Sequence, residues 1–294
     1  MKAWIRRTAL GALVLGLLGA AAVVTSLQLA ERRAQRQLDV AVTAVPLRDD
    51  AAARGRGHYL YTSRGCADCH GADGAGRVFV DSGGIRLAGP NISPGPGSVV
   101  AGYRPQDWVR TLRHGVKPDG RPVRVMPSED YNRLTDDDLA SLVAHVRHLA
   151  PATGGAAVLQ LPLPARVLYG LGVLKDAADK IDHRLPPATP VPEGVTVEHG
   201  RYVAQMCIGC HGARLVGGHI PGSPPDWPAA ARLVPGDGNA MDRYPDAASL
   251  RRMFDSGRRP DGSAVAVMPF EALRHLSDTD LRALHLYLKS QPPA

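Results

Sequence analysis

Two pentapeptides, "CADCH" at Cys66–His70 and "CIGCH" at Cys207–His211, take up all four cysteines of a 294-residue chain. Four cysteines permit disulfides in an exported protein, and a Cys-x-x-Cys pair permits zinc or a dithiol redox couple in an intracellular one. The histidine directly after each pair narrows the choice. A closed zinc site needs a fourth ligand, and neither motif has a second cysteine pair close to it. Haem attachment gives every position a purpose. Residues three apart on a helix lie about one turn from each other. Cys66 with Cys69, and Cys207 with Cys210, can therefore each reach the two vinyl groups of one porphyrin, with His70 or His211 beneath the iron. The pattern predicts two covalently bound haem c groups.

Such attachment takes place outside the bacterial cytoplasmic membrane, and the N-terminus has the matching features. "MKAWIRR" supplies Lys2, Arg6 and Arg7, and an uncharged run follows from Thr8 to Ala30. As a helix these residues extend about 34 Å, enough for a hydrocarbon core of about 30 Å. A cleaved signal peptide ending near Ala20–Ala22 is the alternative, but the apolar run continues through Val23, Val24, Leu27 and Leu29. The expectation is a retained single-pass anchor at residues 1–30, with the rest of the chain in the periplasm.

The formal charge of +7 does not point to nucleic acid. Three positive charges precede the anchor, and the four propionates of two haems bring the remainder close to neutral. Aromatic residues are 5% of the chain and do not interleave with basic ones, so there is no stacking platform for single strands.

The chain repeats itself. "GVKPDGRPVRVMPSEDYNRLTDDDLASLVAHVRHLAP" from Gly115 aligns with "SGRRPDGSAVAVMPFEALRHLSDTDLRALHLYLKSQPP" from Ser256. Both run through a Pro-Asp-Gly turn and Val-Met-Pro into a helix capped by Thr135 or Ser277, with an acid three residues later. Leu139, Leu142, Val143 and Val146, and in the second copy Leu281, Leu284 and Leu288, recur at helical spacing and predict core faces. "PQDWVRTLRHG" and "DAASLRRMFDSG" read as helices ended by glycine, and "RGHYLYTSRG" and "EHGRYVAQM" as helices leading into the two motifs. The fold predicted is mainly α, with two tandem haem domains at 48–150 and 194–294. A proline-rich linker at 151–193 separates them, and within it Val167, Leu168, Leu171 and Leu174 suit a short amphipathic helix packed on one haem domain, with a place at the membrane surface as the alternative.

The second axial ligand separates an electron carrier from a catalyst, because methionine closes the iron and raises its potential. Met126 follows His70 by 56 residues, and Met268 follows His211 by 57, both within Val-Met-Pro. The repeat therefore nominates Met126 and Met268. Met241 and Met206 are rivals in the second copy; Met241 has no evident counterpart in the first, and the remaining histidines occupy no matching positions.

The two motifs, "GPNISP" at Gly89–Pro94, both "PDG...VMP" segments and both closing helices resemble the class I c-type cytochromes. In particular they resemble tandem dihaem, membrane-anchored cytochrome subunits of periplasmic dehydrogenases. Many such subunits have three haem domains, whereas this chain has motifs for two. The resemblance implies a proline-loop carbonyl on the proximal imidazole, which Pro90 offers to His70 and Pro224 or Pro225 to His211, and it makes Tyr103 and Trp108 candidates for propionate contact. It also implies an electron carrier rather than an enzyme. The donor would be a periplasmic dehydrogenase or quinol-oxidising complex, and the acceptor a cytochrome or terminal oxidase. A dihaem subunit of a haem-copper oxidase is the alternative, and a dihaem peroxidase would need an iron free of methionine.

Overall fold

The computed structural model describes residues 2–220, 223 and 226–292, and the fold is mainly helical. Free of proline and rich in alanine and leucine, the N-terminal run forms a single helix, α1 (Lys2–Gln35). Most of its apolar side chains are exposed, and its length and composition suffice to cross a bilayer.

Helix α2 (Ala51–Ser63) leads into α3 (Cys66–His70), followed by the hairpin β1 (Val78–Ser82) and β2 (Ile85–Ala88), then α4 (Pro105–His114), α5 (Ser128–Tyr131) and α6 (Asp136–Arg147). Helices α2 and α6 cross at Gly57, where a Cβ would lie 1.9 Å from the Ser141 carbonyl oxygen. Only glycine permits that approach. Leu60 and Tyr61 of α2 meet Leu139, Leu142, Val143 and Val146 of α6 in the first core, so the helical spacing in the sequence marks the buried face.

The second half repeats this plan with α8 (Val197–Val203), α9 (Ile208–His211), α10 (Ala247–Ser256), α11 (Phe270–Leu273) and α12 (Asp278–Ser290). Helices α8 and α12 cross at Gly200, where a Cβ would lie 2.0 Å from the Ala283 carbonyl oxygen. Both α4 and α10 end on a left-handed glycine, Gly115 (φ 61°) and Gly257 (φ 69°), as their sequences predict.

Much of the segment between the halves is bound to the first of them. Strand β3 (Val158–Gln160) adds to β2 in antiparallel register, giving the order β1-β2-β3. Helix α7 (Leu163–Gly170) is the short helix read from the sequence, displaced by a few residues. Instead of resting only on a haem domain, it packs on the last turns of α1, where a Cβ at Gly170 would lie 1.9 Å from the Ser26 carbonyl oxygen. Arg36 makes a bidentate pair with the fully buried Asp176 at 2.6 and 2.8 Å, and Arg33 pairs with Asp179 at 2.6 Å. Tyr169 donates to Asp176, and the guanidinium groups of Arg33 and Arg124 lie over its ring at 5.5 and 4.7 Å from the centroid.

The two halves meet through a reciprocal pair of tyrosines. Tyr59 of α2 donates to Asp280 at 2.6 Å and accepts the Ser277 N–H; Tyr202 of α8 donates to Asp138 at 2.6 Å and accepts the Thr135 N–H. Thr135 and Ser277 each accept the amide of the acid three residues on, as the capping pattern predicts. The acids, however, do not return to the cap N–H. In each half that place is taken by a tyrosine hydroxyl from the other half, so each capping motif is completed across the interface. Arg56 also pairs with Asp138, while Arg64 and His199 converge on Asp280.

Candidate functional site

A cavity of about 620 Å³ in the first half brings Cys66, Cys69 and His70 together with Met126. Helix α3 starts after Gly65 in the left-handed region (φ 78°) and ends at Gly71 (φ 77°, ψ 161°). The His70 Nδ1 lies 2.9 Å from the Pro90 carbonyl oxygen. A carbonyl only accepts, so Nδ1 carries the hydrogen and Nε2 is left with its lone pair for a metal. Burial lowers the His70 pKa, with the Pro90 bond acting in the other direction, so the imidazole is held neutral as a ligand requires.

The second half reproduces this geometry in detail. Gly212 ends α9 at φ 77° and ψ 159°, the Gly217 amide donates to the His211 carbonyl as Gly76 does to His70, and His211 is buried with a lowered pKa from desolvation. Its Nδ1 lies 2.7 Å from the Ala231 carbonyl oxygen. The expectation of Pro224 or Pro225 in this role is therefore replaced by Ala231; those two prolines lie outside the described residues. Both carbonyls stand 20 residues after their histidine, and that spacing, rather than the proline, was the usable signal. A backbone acceptor needs no particular side chain.

The two methionines occupy equivalent turns. Pro127 adopts φ −78°, ψ 65° and Pro269 φ −80°, ψ 66°. The Ser128 amide donates to the Met126 carbonyl at 2.8 Å and the Phe270 amide to the Met268 carbonyl at 2.9 Å. Cys66 and Met126 border the first core, Cys207 and Met268 the second. Met241 is 1% exposed within the second core, and the structure does supply its counterpart. The Tyr244 amide donates to the Met241 carbonyl as the Tyr103 amide does to Val100, and Val100 is a wall of the first cavity.

Tyr103, Trp108 and Leu112 line the first cavity together with Phe79, and Ala156–Leu159 close one side of it. The lining is mostly apolar, with Lys117, Asp119 and Arg124 as its charged members. Burial, and then Arg121, lower the Lys117 pKa. Two cations beside one acid in an apolar cavity suit a flat apolar ligand with anionic substituents. Sequence reading missed Lys117, although a basic residue precedes Pro-Asp-Gly in both copies.

The two Cys-x-x-Cys-His motifs lie at the contact between the halves. The Asp130 carboxylate of α5 accepts the Gly209 amide inside the second motif at 2.8 Å, and a Cβ at Gly209 would lie 2.9 Å from both of its oxygens. Burial, with Glu129 adding to it, pushes the Asp130 carboxyl up to about 8; burial, with Glu271 adding to it, pushes Asp68 of the first motif up to about 6. Burial also pushes the free thiols of Cys66 and Cys207 up to about 12 and that of Cys69 to about 11. No group of three or more metal-binding side chains occurs among the described residues.

Residues 52–146 match the family model described as cytochrome c oxidase, cbb3-type, subunit III. The chain is 30% identical to the fructose dehydrogenase cytochrome subunit of Gluconobacter japonicus over 81% of its length and 52% of that protein. It is 28% identical to the gluconate 2-dehydrogenase cytochrome c subunit of Pantoea cypripedii, over 80% of this chain and 58% of that one. It is also 28% identical to the cytochrome c subunit of the quinone alcohol dehydrogenase of Gluconobacter oxydans (strain 621H), over 83% and 55%. The chain thus spans little more than half the length of these relatives. Cys66, Cys69, His70 and Met126 fall within the matched cytochrome c domain, which supports covalent haem, while the Ala156–Leu159 wall of the cavity lies beyond it; the chain is a relative of the cytochrome subunits of fructose, gluconate and alcohol dehydrogenases.

Proposed function

We propose that the protein is a membrane-anchored dihaem cytochrome c that passes single electrons from a periplasmic dehydrogenase to a cytochrome or terminal oxidase. The observation that carries this reading is the matched pair of sites: the same histidine-to-carbonyl bond and the same methionine turn occur in both halves. In this reading Cys66 and Cys69, together with His70 and Met126, would hold the first haem, and Cys207 and Cys210, together with His211 and Met268, would hold the second. The first domain takes in residues 48–150 together with the β3 segment that walls its cavity, and the second residues 194–294. When bound, each haem supplies an iron that cycles between ferrous and ferric.

The chain's own residues bind and orient. Pro90 and Ala231 fix the imidazole tautomers, Lys117 and Arg124 would offer cations to the propionates of a haem in the first cavity, and the apolar walls exclude water. Met126 and Met268 would close both irons to other ligands, and one-electron transfer requires no proton donor or nucleophile. Helix α1 is the membrane anchor, with both haem domains on the periplasmic side.

A haem-copper oxidase partner is the second reading, favoured by the family-model match. That match covers one half only, whereas the dehydrogenase relatives align over at least 80% of the chain. Purification of the tagged protein from mildly solubilised native membranes distinguishes the two. A dehydrogenase catalytic subunit is expected to co-purify and, given its substrate, to reduce both haems; a copper-containing oxidase subunit in its place would overturn the dehydrogenase assignment.

A further inference from the structure

Helix α7 turns Tyr169 and Gly170 inward, while Leu163 (51% exposed) and Leu168 (39%) on the helix, and Leu171 (58%) and Val173 (64%) just after it, face outward. A water-facing helix of a soluble domain carries polar side chains there. We propose that these four side chains form a docking surface for the lipid bilayer, seated at the boundary between headgroups and acyl chains; the inference rests on the reading of α1 as a membrane anchor.

Height along α1 supports this occupant. The uncharged run begins at Thr8, directly after Arg7. At 1.5 Å per residue, a hydrocarbon core of about 30 Å is spent after about 20 residues, near Gln28. Gly170 meets α1 at that level: a Cβ on it would lie 1.9 Å from the Ser26 carbonyl oxygen and 3.1 Å from the Ala30 amide nitrogen. Helix α7 therefore crosses α1 where hydrocarbon gives way to headgroups, and its outward face has acyl chains on one side and headgroups on the other.

The crossing is fixed rather than loose. The bidentate Arg36–Asp176 pair and the Arg33–Asp179 pair hold the segment after α7 to the end of α1. The charges around the patch also suit a bilayer. Arg166 on α7 and Lys175 shortly after it are exposed, able to reach lipid phosphates. Of the nearby acids, Asp179 is taken by Arg33 and Arg36, leaving Glu31 exposed. An interfacial segment with leucines on one side and basic residues at its rim is the pattern of a helix lying in the membrane surface. Its consequence is orientation: with α1 and α7 both engaged, the first haem domain is held close over the membrane, because Tyr169 of α7 stacks on Arg124 of that domain's cavity.

A nitroxide placed on Leu171→Cys or, separately, on Val173→Cys in the haem-loaded full chain tests this, with vesicles of phosphatidylcholine and phosphatidylglycerol in equal parts. Collisions with oxygen and with a water-soluble nickel chelate are compared, using Leu13→Cys on α1 and Val195→Cys at the start of the second half as references. Oxygen collisions are expected to exceed nickel collisions severalfold at 171, 173 and 13, with the reverse at 195. Lipid contact at 13 together with water contact at 171 and 173 would overturn the docking surface and leave the anchor intact. Shielding from both reagents at 171 and 173 would overturn it in favour of a protein partner. Water contact at 13 would remove the anchor and this inference with it.

Discussion

Replacing Asp280 by alanine should weaken the chain more than any other single change at the interface between the halves. The carboxylate is fully buried and accepts from Tyr59 Oη at 2.6 Å, Arg64 Nη2 at 2.8 Å and His199 Nε2 at 2.7 Å. Its loss strands the guanidinium of Arg64, whose side chain is 7% exposed, and removing one partner of a buried pair costs about 3–5 kcal/mol. Asp138 has the equivalent place in the other half, but it and Arg56 are 10% and 27% exposed, so Asp138→Ala should cost less, about 1.5–3 kcal/mol. Urea denaturation followed by circular dichroism reads the difference. At about 2 kcal/mol per molar of urea, Asp280→Ala should lower the midpoint by about 2 M. A pH series adds an independent check. Burial raises the Asp280 pKa, but the charge of Arg64 and the hydrogen bonds from Arg64, Tyr59 and His199 outweigh it and hold the carboxyl at about 2, below its ordinary 3.8. Folding therefore gains roughly 2 kcal/mol from this group above about pH 4, a gain lost as the pH falls toward 2 and missing from Asp280→Asn at every pH. A midpoint loss for Asp280→Ala smaller than that for Asp138→Ala would refute the reasoning.

The helix crossings give a second expectation: Gly57→Ala and Gly200→Ala each place a Cβ within 2.0 Å of a backbone oxygen, and each should cost about 1–3 kcal/mol in the same urea assay. Met126→Ala should open the first iron alone, and Met268→Ala the second alone, to carbon monoxide, each with a lowered potential at the altered site. Met241→Leu should bind none, since Met241 stands where the first half has the wall residue Val100; carbon monoxide difference spectra check all three.

Local signals account for what the sequence made legible. Glycine at a helix end, a threonine or serine cap and leucines at helical spacing act within a few residues, and Gly115, Gly257, Thr135, Ser277 and Leu139 all have the expected places. The interface was not legible, because Tyr59 and Asp280 are 221 residues apart and each tyrosine enters a capping motif that looks complete by itself. Ala231 escaped notice because a carbonyl acceptor has no side-chain signature. The docking of α7 on α1 depends on Gly170, one of many glycines, whose role appears only beside the Ser26 backbone.

Whether both motifs carry covalent haem is read from the intact mass of the purified native protein under denaturing conditions. Two haem increments on the polypeptide mass are expected, falling to one in the Cys207→Ala, Cys210→Ala double variant. A single increment in the native protein, or two retained in that variant, would contradict covalent haem at both motifs.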